Sequence, residues 1–454
     1  MDELLPSWYH IRMKKQILNP VRDSGDQEQA QKDNISNGVK KTYKYRLYPT
    51  KSQKEILEKH LSLCRWLYNR FLEERRTLYE KNKTRVSCYD QIKEIPALKK
   101  EKPELKEVHS QTLQDVVRRL DKAFQNFFRR IKENKNGKKQ KPGYPRFKGY
   151  WRYDSFVYPQ SGFELKDNKL NLSKIGSLKI KFHRLIKGTP KTLILKRTNT
   201  NKWYACFSVE IEKELPEKKE IKQILGIDVG LTSFLTTNTG EKVDNPRYLL
   251  KSEERLAQIQ RWHSRKKLKS KNRKKSRQRV ARLHEKITNQ RLDFLHKLSN
   301  KLVKNFQLIA FEKLNIKGMV KNRYLAKSIV DASWNKFLQM LSYKAEEASV
   351  WAVGVSSKNT TQVCSGCNNL VKKSLATKLH KCSNCGLTID RDTNAARNIL
   401  QLALNTVGTT GINPVKCCKA AILPKAKLFN RVNACGVGRL LLTTKQEAIG
   451  FNRW

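Results

Sequence analysis

Two Cys-x-x-Cys pairs, separated by 14 residues, lie in the last quarter of this 454-residue chain. Cys364, Cys367, Cys382 and Cys385 have the spacing of two knuckles that together offer four thiolates to one tetrahedral Zn²⁺. Buried or disulfide-bonded cysteines are the alternative, but two matched pairs this close rarely arise by chance. We therefore predict a structural zinc ribbon. Because four cysteines already close the site, His380 is expected to be an ordinary surface residue.

Three separate segments each carry an acidic residue that could serve phosphodiester chemistry. Asp228 lies in the apolar run ILGIDVG, and Glu312 lies in the apolar run LIAFEKL. Asp390 and Asp392 precede a predicted helix, where a lone Asp-x-Asp is most often a cap. A carboxylate is costly in an apolar run unless it is paired or binds a cation. Brought together, such acids would suit Mg²⁺, which takes hard oxygen ligands.

The order of these motifs resembles a known family. A strand with Asp, a strand with Glu, and a cysteine ribbon that runs into DRDTNAARNI are similar to the split RuvC nuclease domain of the TnpB (OrfB) family, over residues 41–403. That family consists of transposon-encoded, RNA-guided DNA endonucleases related to compact type V CRISPR effectors. The resemblance implies that Asp228, Glu312 and Asp392 are catalytic and hold two Mg²⁺ ions, with Asp390 the less favoured candidate. Asn368 departs from the family, which has Gly after the second cysteine of the first knuckle.

The charge of the chain indicates an acidic polymer as partner. Lys and Arg outnumber Asp and Glu by 95 to 41, which gives a formal net charge of +54. Such an excess repels itself unless nucleic acid neutralises it. A membrane surface is the competing partner, but no apolar run reaches transmembrane length and no signal-peptide core is present. Ten cysteines, four of them with zinc spacing, favour a reducing compartment. We expect a cytoplasmic, nucleoid-associated protein of a prokaryote.

The first half combines a strand with two amphipathic helices. Lys41–Tyr48 alternates as a strand does, and Thr50 to Gln53 forms a capping-box sequence. The helix after it places apolar residues on one face, as does a second helix over Thr112–Lys132. The second helix carries a basic opposite face (Arg118, Arg119, Lys122, Arg129 and Arg130). This face is either simply solvated or, as the total charge favours, follows a phosphate backbone.

Residues 138–158 mix basic and aromatic side chains, a combination suited to RNA phosphates and unstacked bases. Alternatively, some of these rings pack a small β core. Three further strand patterns follow, over Leu178–Phe182, Thr192–Arg197 and Trp203–Ile211. With Lys41–Tyr48 they are expected to close a small β-barrel. Residues 143–148 and 155–156 also resemble a GxPRFK…SF segment of the family.

The second half is expected to contain the catalytic core. Strands at Ile224 and Ser233 should form an antiparallel meander, with the Glu312 strand beside the first. Glu253–Asn305 predicts long helices, within which Arg261–Arg282 holds 12 Lys or Arg and no acid. That run either forms a solvated face or, as its density favours, follows a heteroduplex.

The resulting fold class is α+β and multidomain, and the names of its parts come from the resemblance. It comprises an RNase H-like (RuvC) nuclease domain with an inserted zinc ribbon, and an N-terminal β-barrel (wedge) interrupted by a helical recognition lobe. The expected boundaries are a disordered leader (1–40), wedge (41–50 and 136–222), recognition lobe (51–135), RuvC-like nuclease (223–360 and 390–403), zinc ribbon (361–389) and flexible tail (404–454).

The resemblance implies a metal-dependent DNA endonuclease that cuts beside a short flanking motif by two-metal hydrolysis. One ion would activate water and the other would stabilise the leaving 3′ oxygen. Its partners would be a guide noncoding RNA from the transposon end and target double-stranded DNA, with a companion transposase as a further candidate. Two alternatives stay open: a transposase of RNase H-like fold, and a nuclease-inactive RNA-guided DNA-binding repressor.

Overall fold

Strand β1 (Gly38–Tyr48) is central to the largest of the three sheets that the described residues form. The computed structural model describes residues 38–137, 140–212, 220–374 and 377–408. These residues divide into two units: 38–212, 246–301 and 335–349 form the first, and 220–245, 302–334 and 350–408 form the second. Residues 1–37 of the predicted leader lie outside the described residues. Residues 38–40, which the sequence analysis also assigned to the leader, belong to β1.

The first unit contains a seven-stranded antiparallel sheet in the order β2-β6-β7-β1-β5-β4-β3. Tyr43, Tyr45 and Leu47 of β1 alternate into the core, as the period of a half-buried strand requires. The sheet runs from β2 to β3, and the described strand pairs include none that closes it into a barrel. The other strands are β2 (Ser155–Pro159), β3 (Phe163–Lys166), β4 (Lys169–Leu172), β5 (Gly176–Lys181), β6 (Thr189–Arg197) and β7 (Trp203–Glu212).

Three helices pack with this sheet: α1 (Lys51–Asn82), α2 (Cys88–Glu101) and α3 (Ser110–Lys135). The predicted capping box at the start of α1 is confirmed, with Thr50 and Gln53 each bonding the other's backbone. The predicted apolar faces of α1 and α3 are buried, except that Ile131 is half-buried. Helix α2 was not predicted, because it carries Pro96 in its interior, a residue that usually ends a helix.

The first unit also contains α4 (Glu253–Ser264), most of α5 (Lys271–Asn305) and most of α8 (Trp334–Glu347), so the predicted long helices are confirmed. A turn joins α4 to α5. Arg273 stabilises this turn by donating to the carbonyl oxygens of His263, Ser264 and Lys266 at 2.7–3.4 Å. These bonds satisfy carbonyls that the helix end leaves without intrahelical partners.

The second unit contains a five-stranded sheet in the order β10-β9-β8-β11-β12. β8 (Ile224–Val229), β9 (Ser233–Thr237) and β10 (Lys242–Asp244) form an antiparallel meander, while β11 (Leu308–Glu312) runs parallel to both β8 and β12 (Trp351–Val355). The predicted meander, with the Glu312 strand beside its first member, is confirmed. Short helices α6 (Ile316–Met319) and α7 (Arg323–Ala332) follow β11.

Helix α9 (Arg391–Gly408) packs across this sheet. Its backbone approaches β8 so closely that a Cβ added to Gly226 would lie 2.2 Å from the carbonyl oxygen of Ala396. Ala403 and Val407 are buried, so the tail predicted from residue 404 is wrong as far as Gly408. The remainder of that predicted tail lies outside the described residues.

A two-stranded hairpin of β13 (Leu379–Lys381) and β14 (Thr388–Asp390) leads directly into α9. The second cysteine pair lies in the turn between these two strands. Within the described part of the chain, no helix is both long and apolar enough to cross a membrane.

Candidate active site and cysteine cluster

The second unit positions all three predicted acids. Asp228 lies one residue before the end of β8, and Glu312 is the last residue of β11. The parallel pairing matches Ile227 with Phe311, so the residue that follows each lies at the same end of the sheet. Asp392 is in the first turn of α9.

The electrostatics of Asp228 show that these acids influence one another. Burial, followed by the negative charges of Glu312 and Asp392, raises the pKa of Asp228 well above its ordinary value. The Arg391 guanidinium and the N–H of Val229 oppose this rise without cancelling it. The site is therefore a concentration of negative charge that a cation would relieve.

Glu312 is a buried carboxylate that is hydrogen-bonded by the side chain of Thr360. Its side chain is 8% exposed, and burial raises its pKa above the ordinary value. The hydroxyl of Thr360 donates to Oε1 of Glu312. This hydrogen bond lowers the pKa of Glu312 and so partly offsets the effect of burial. Sequence reasoning missed Thr360, because its 48-residue separation from Glu312 leaves no local signal.

Asp390 and Asp392 have different roles. Oδ1 of Asp390 accepts from the backbone N–H groups of Asp392 and Thr393 at 3.1 and 3.2 Å, as a helix N-cap does. Its Oδ2 lies 3.0 Å from Nζ of Lys242. Burial opposes ionisation of Asp390, but the Lys242 ammonium and the N–H donors outweigh it, so the pKa of Asp390 is lowered. The cap and the ion pair engage Asp390, whereas the charge of Asp392 acts on Asp228.

Arg391 lies between the acids and the hairpin. Its Nε and Nη2 both lie 3.0 Å from Oδ1 of Asp392, and its Nη1 donates to the carbonyl oxygen of Thr377 at 3.1 Å. Arg391 therefore neutralises part of the site's negative charge and orients Asp392. Sequence reasoning also missed this role, since an Arg at a helix start has no distinctive local pattern.

The other polar residues of the α9 motif hold the helix in place. Arg397 donates to the carbonyl oxygen of Asn238 at 3.2 Å, and Asn238 in turn bonds the backbone of Gly226 in both directions. Asn394 and Asn398 donate to the segment before the first cysteine. These bonds fix the start of α9, and with it Asp392, relative to the strand that carries Asp228.

The four predicted cysteines form one cluster, with all Sγ atoms within 4.8 Å of one another. Sγ of Cys364 lies 3.6 Å from that of Cys385, and Sγ of Cys367 lies 3.5 Å from that of Cys382. Zinc–sulfur bonds of about 2.3 Å arranged tetrahedrally separate sulfurs by about 3.8 Å. The cluster is therefore compatible with structural zinc.

Both knuckles have the same backbone turn, although their sequences differ. The N–H of Asn368 bonds the carbonyl of Cys364, and the N–H of Gly386 bonds that of Cys382, each at 2.9 Å. Asn368 has φ +61° and Gly386 has φ +71°. Asn368 can replace the family's Gly at this position, because Asn tolerates this left-handed conformation better than most other residues.

The expectation for His380 was wrong. Its side chain is fully buried in β13, where its ring contacts the ammonium of Lys373. Burial, followed by that positive charge, lowers the pKa of His380. The spacing of the cysteines could not show that the hairpin would fold over this ring.

The basic and aromatic segment of the first unit divides into core and surface. Tyr144, Tyr153 and Phe156 pack with the buried cluster, so the alternative of a small β core is correct for these rings. Phe147, Tyr150 and Trp151 stay exposed. The Arg277 guanidinium lies 3.5 Å from the centre of the Trp151 ring, and Arg197 lies over the Tyr150 ring at 4.4 Å.

Several basic residues predicted to follow nucleic acid make contacts within the protein instead. Arg119 of α3 bonds the backbone and side chain of Ser155, and Arg130 bonds the carbonyl of Pro142. In the basic run 261–282, Arg273 stabilises the turn between α4 and α5, and Arg277 covers Trp151. The total charge thus overstates the number of side chains directed at a ligand.

Comparison with known proteins shows to which family this chain belongs. A family described as "Probable transposase" matches residues 206–323, and one described as "Cas12f1-like, TNB domain" matches residues 334–399. A relative from Streptomyces pristinaespiralis is 36% identical over 385 residues, which cover 83% of this chain and 92% of the relative. The chain belongs to the TnpB family. The TnpB resemblance stated from sequence is confirmed.

A second relative, InsQ of Escherichia coli K12, is 27% identical over 377 residues, covering 79% of this chain and 91% of its own length. Both relatives carry the name RNA-guided DNA endonuclease, given provisionally. Among solved structures, a Cas12f1–sgRNA–target DNA complex matches at a TM-score of 0.31 and 17% identity, over 80% of this chain and 99% of that one.

One family description differs from the structure. A helix-turn-helix domain matches residues 37–84. In this chain, residues 38–82 form strand β1 and the single helix α1, so the matched segment contains no turn between two helices within its described part. The 32 residues of α1 are continuous from its capping box to Lys83, where the helix ends.

Proposed function

We propose that this chain is a transposon-encoded, RNA-guided DNA endonuclease that cuts DNA by metal-dependent hydrolysis of phosphodiester bonds. The observation that carries the proposal is the arrangement of Asp228, Glu312 and Asp392 from β8, β11 and α9, close enough for two of them to raise the pKa of the third. Membership of the TnpB family, with relatives named for RNA-guided DNA cutting, supports it.

The acidic site suits Mg²⁺, since buried carboxylates with uncompensated charge are hard oxygen ligands. Two Mg²⁺ ions would supply an activated water and charge neutralisation at the leaving oxygen. Among the described residues, the cysteines alone converge as ligands for a single ion.

The chain's own residues prepare this site. Asp228 and Glu312 present carboxylates from rigid strands, and Thr360 holds the second of them. Arg391 neutralises part of the charge on Asp392, which limits repulsion among the three acids. Asp390 caps α9 and so serves the helix that carries Asp392.

The finer fold assignments follow from this proposal. The five-stranded sheet with α9 would be the RuvC-like nuclease, and the cysteine hairpin would be a zinc ribbon inserted between its second and third acids. The seven-stranded sheet would be the wedge, with α1 to α3 as the recognition lobe. The domain boundaries stated from sequence stay predictions, apart from residues 38–40, which belong to β1, and residues 404–408, which belong to α9.

The first unit offers a surface suited to the guide RNA, which we propose comes from the transposon end. Phe147, Tyr150 and Trp151 are exposed rings, and the guanidinium groups of Arg197 and Arg277 lie over the Tyr150 and Trp151 rings. Exposed rings can stack on unpaired bases, while solvent-exposed basic residues other than Arg197 and Arg277 would bind the phosphates. Base pairing would then read most of the target sequence, as in other RNA-guided systems.

Plasmid cleavage against a library with randomised flanks tests the proposal. The protein would be purified from cells that also transcribe the DNA flanking its gene. Mg²⁺-dependent double-strand cuts beside one enriched flank are expected, and loss of the cuts in Asp228→Asn would assign them to this site. Specific binding without cuts would instead support the nuclease-inactive repressor, which the three intact acids argue against.

A transposase is the second candidate, favoured by the description of the family that matches residues 206–323. The same acids could join DNA ends as well as cut them. Strand transfer by the purified protein without RNA would establish this alternative and overturn the guided nuclease. The resemblance-based expectation of a companion transposase stays a prediction.

A further inference from the structure

A short segment, half-buried apart from the buried residues Thr360 and Cys364, connects the cysteine cluster to Glu312. We call residues 360–365 the strap; it includes Cys364. At its first residue, the hydroxyl of Thr360 donates to Oε1 of Glu312, and both side chains are buried at 3% and 8% exposure. Within the described part of the chain, one other acceptor lies near this hydroxyl, the carbonyl oxygen of Ser357 at 3.5 Å, the outer limit of a hydrogen bond.

Two buried asparagines of α9 hold the backbone of the strap. Asn398 donates to the carbonyl oxygens of Thr360 and Val363 at 2.8 and 2.7 Å. Asn394 donates to Val363 at 2.8 Å and accepts from the N–H of Ser365 at 2.9 Å. Both amides are less than 10% exposed. Because a buried polar group left unpaired is costly, these bonds fix the strap's path.

We propose that the strap is a positioning device for the proposed nuclease site: Thr360 fixes the Glu312 carboxylate in its metal-binding orientation, and Asn394 and Asn398 keep Thr360 in place. Thr360 is a positioning residue, since it acts through Glu312. The inference rests on the proposed function, in which Glu312 is a metal ligand. It gives the cysteine cluster a second role, because Cys364 anchors the far end of the same strap.

The physical reason lies in the freedom of a glutamate side chain. Glu312 has three rotatable side-chain bonds, and ordering such a chain costs up to about 2 kcal/mol of conformational entropy. A hydrogen-bond partner that orders the ligand before metal binding removes part of this cost. Loss of such outer partners typically weakens metal binding or activity by about 10- to 100-fold.

Direct metal binding tests the strap without relying on cleavage. Mn²⁺ would be titrated into the RNA-free full chain, with free Mn²⁺ measured by electron paramagnetic resonance. Binding that Asp228→Asn abolishes is counted as binding at the acidic site. We expect Thr360→Val to weaken this binding about 10- to 100-fold. Thr360→Ser, which keeps the hydroxyl, should restore it to within about threefold.

Thr361→Val is the matched control, since it makes the same chemical change one residue along the strap. It should leave Mn²⁺ affinity unchanged. Wild-type affinity in Thr360→Val, or equal losses in Thr360→Val and Thr361→Val, would overturn the strap's role. If the wild-type chain shows no Mn²⁺ binding that depends on Asp228, the acidic metal site itself is refuted, and the proposed function fails with it.

A double-mutant cycle tests the link through α9. Asn398→Ala should also weaken Mn²⁺ binding, because it releases the carbonyl of Thr360. Added to Thr360→Val, it should cost little more, since both changes remove the same restraint. Fully additive losses would show that Asn398 acts independently and would overturn the linkage. Circular dichroism and melting of each variant distinguish these effects from unfolding.

Discussion

Replacing Asp228 by asparagine should stabilise the Mg²⁺-free protein and, at the same time, abolish DNA cutting. Asn has nearly the same shape as Asp but carries no charge. In the folded protein, burial and the charges of Glu312 and Asp392 raise the pKa of Asp228 above its ordinary value of 3.8. A carboxylate whose pKa is raised by folding destabilises the folded state whenever it is ionised.

The sign and pH window follow from that shift. Below the unfolded pKa, near 3.8, Asp228 is protonated in both states and the substitution should have little effect. As the pH rises above that value, wild-type stability falls relative to the variant, so the difference should be largest at pH 7–8. A single stabilising substitution commonly adds about 0.5–2 kcal/mol to the free energy of unfolding, and we expect a gain of this size. Each kcal/mol corresponds to about 2–4 °C in Tm for a unit of 150–250 residues.

The assay is thermal melting of wild type and Asp228→Asn at pH 4.5 and pH 7.5. Mg²⁺ should be removed by dialysis, since a chelator would also remove zinc from the cysteine cluster. Asp244→Asn is the matched control, an exposed aspartate in strand β10 of the same sheet, and it should not change Tm. Adding Mg²⁺ should raise the Tm of wild type more than that of Asp228→Asn, because binding stabilises the state that binds.

Cutting should fall at least about a thousandfold in the same variant, because a metal ion supplies several kcal/mol of charge stabilisation. Guide RNA binding should persist, since the acidic site is small beside the basic surface. A lower Tm for Asp228→Asn at pH 7.5, or a loss of RNA binding, would show that Asp228 is structural and would refute the reasoning.

Three further predictions concern zinc, the first knuckle and RNA binding. Cys382→Ser should reduce the zinc measured by elemental analysis from one ion per chain to none, and it should lower the stability of the second unit. Normal melting and full activity of this variant would contradict the zinc ribbon. Asn368→Gly should keep or raise Tm, whereas Asn368→Ala should lower the free energy of unfolding by about 1–2 kcal/mol, because the residue has φ +61°. Equal Tm values for the two variants would exclude this conformational role. Guide RNA affinity should fall about 10³- to 10⁵-fold between 50 and 200 mM salt if 6–10 phosphates are contacted, and a flat salt dependence in a filter-binding assay would argue against the basic surface.

The sequence alone determined the features that depend on local pattern. The cysteine spacing predicted the cluster, because two residues between cysteines suit one knuckle around an ion. The apolar runs around Asp228 and Glu312 predicted strands β8 and β11, and the two strands do pair. The capping sequence at Thr50 predicted the start of α1. In each case the interactions involved join residues close together in the sequence, so the local sequence pattern is enough to predict the feature.

Only the tertiary structure decided which polar side chains lie at the candidate site. It gave Asp390 to the cap of α9 and left Asp392 beside Asp228, although both acids lie in one short motif. It brought Thr360 to Glu312 across 48 residues and buried His380 under its hairpin. These outcomes depend on packing between elements distant in sequence, where burial and the nearest partner set a side chain's role. No local period or spacing encodes such contacts.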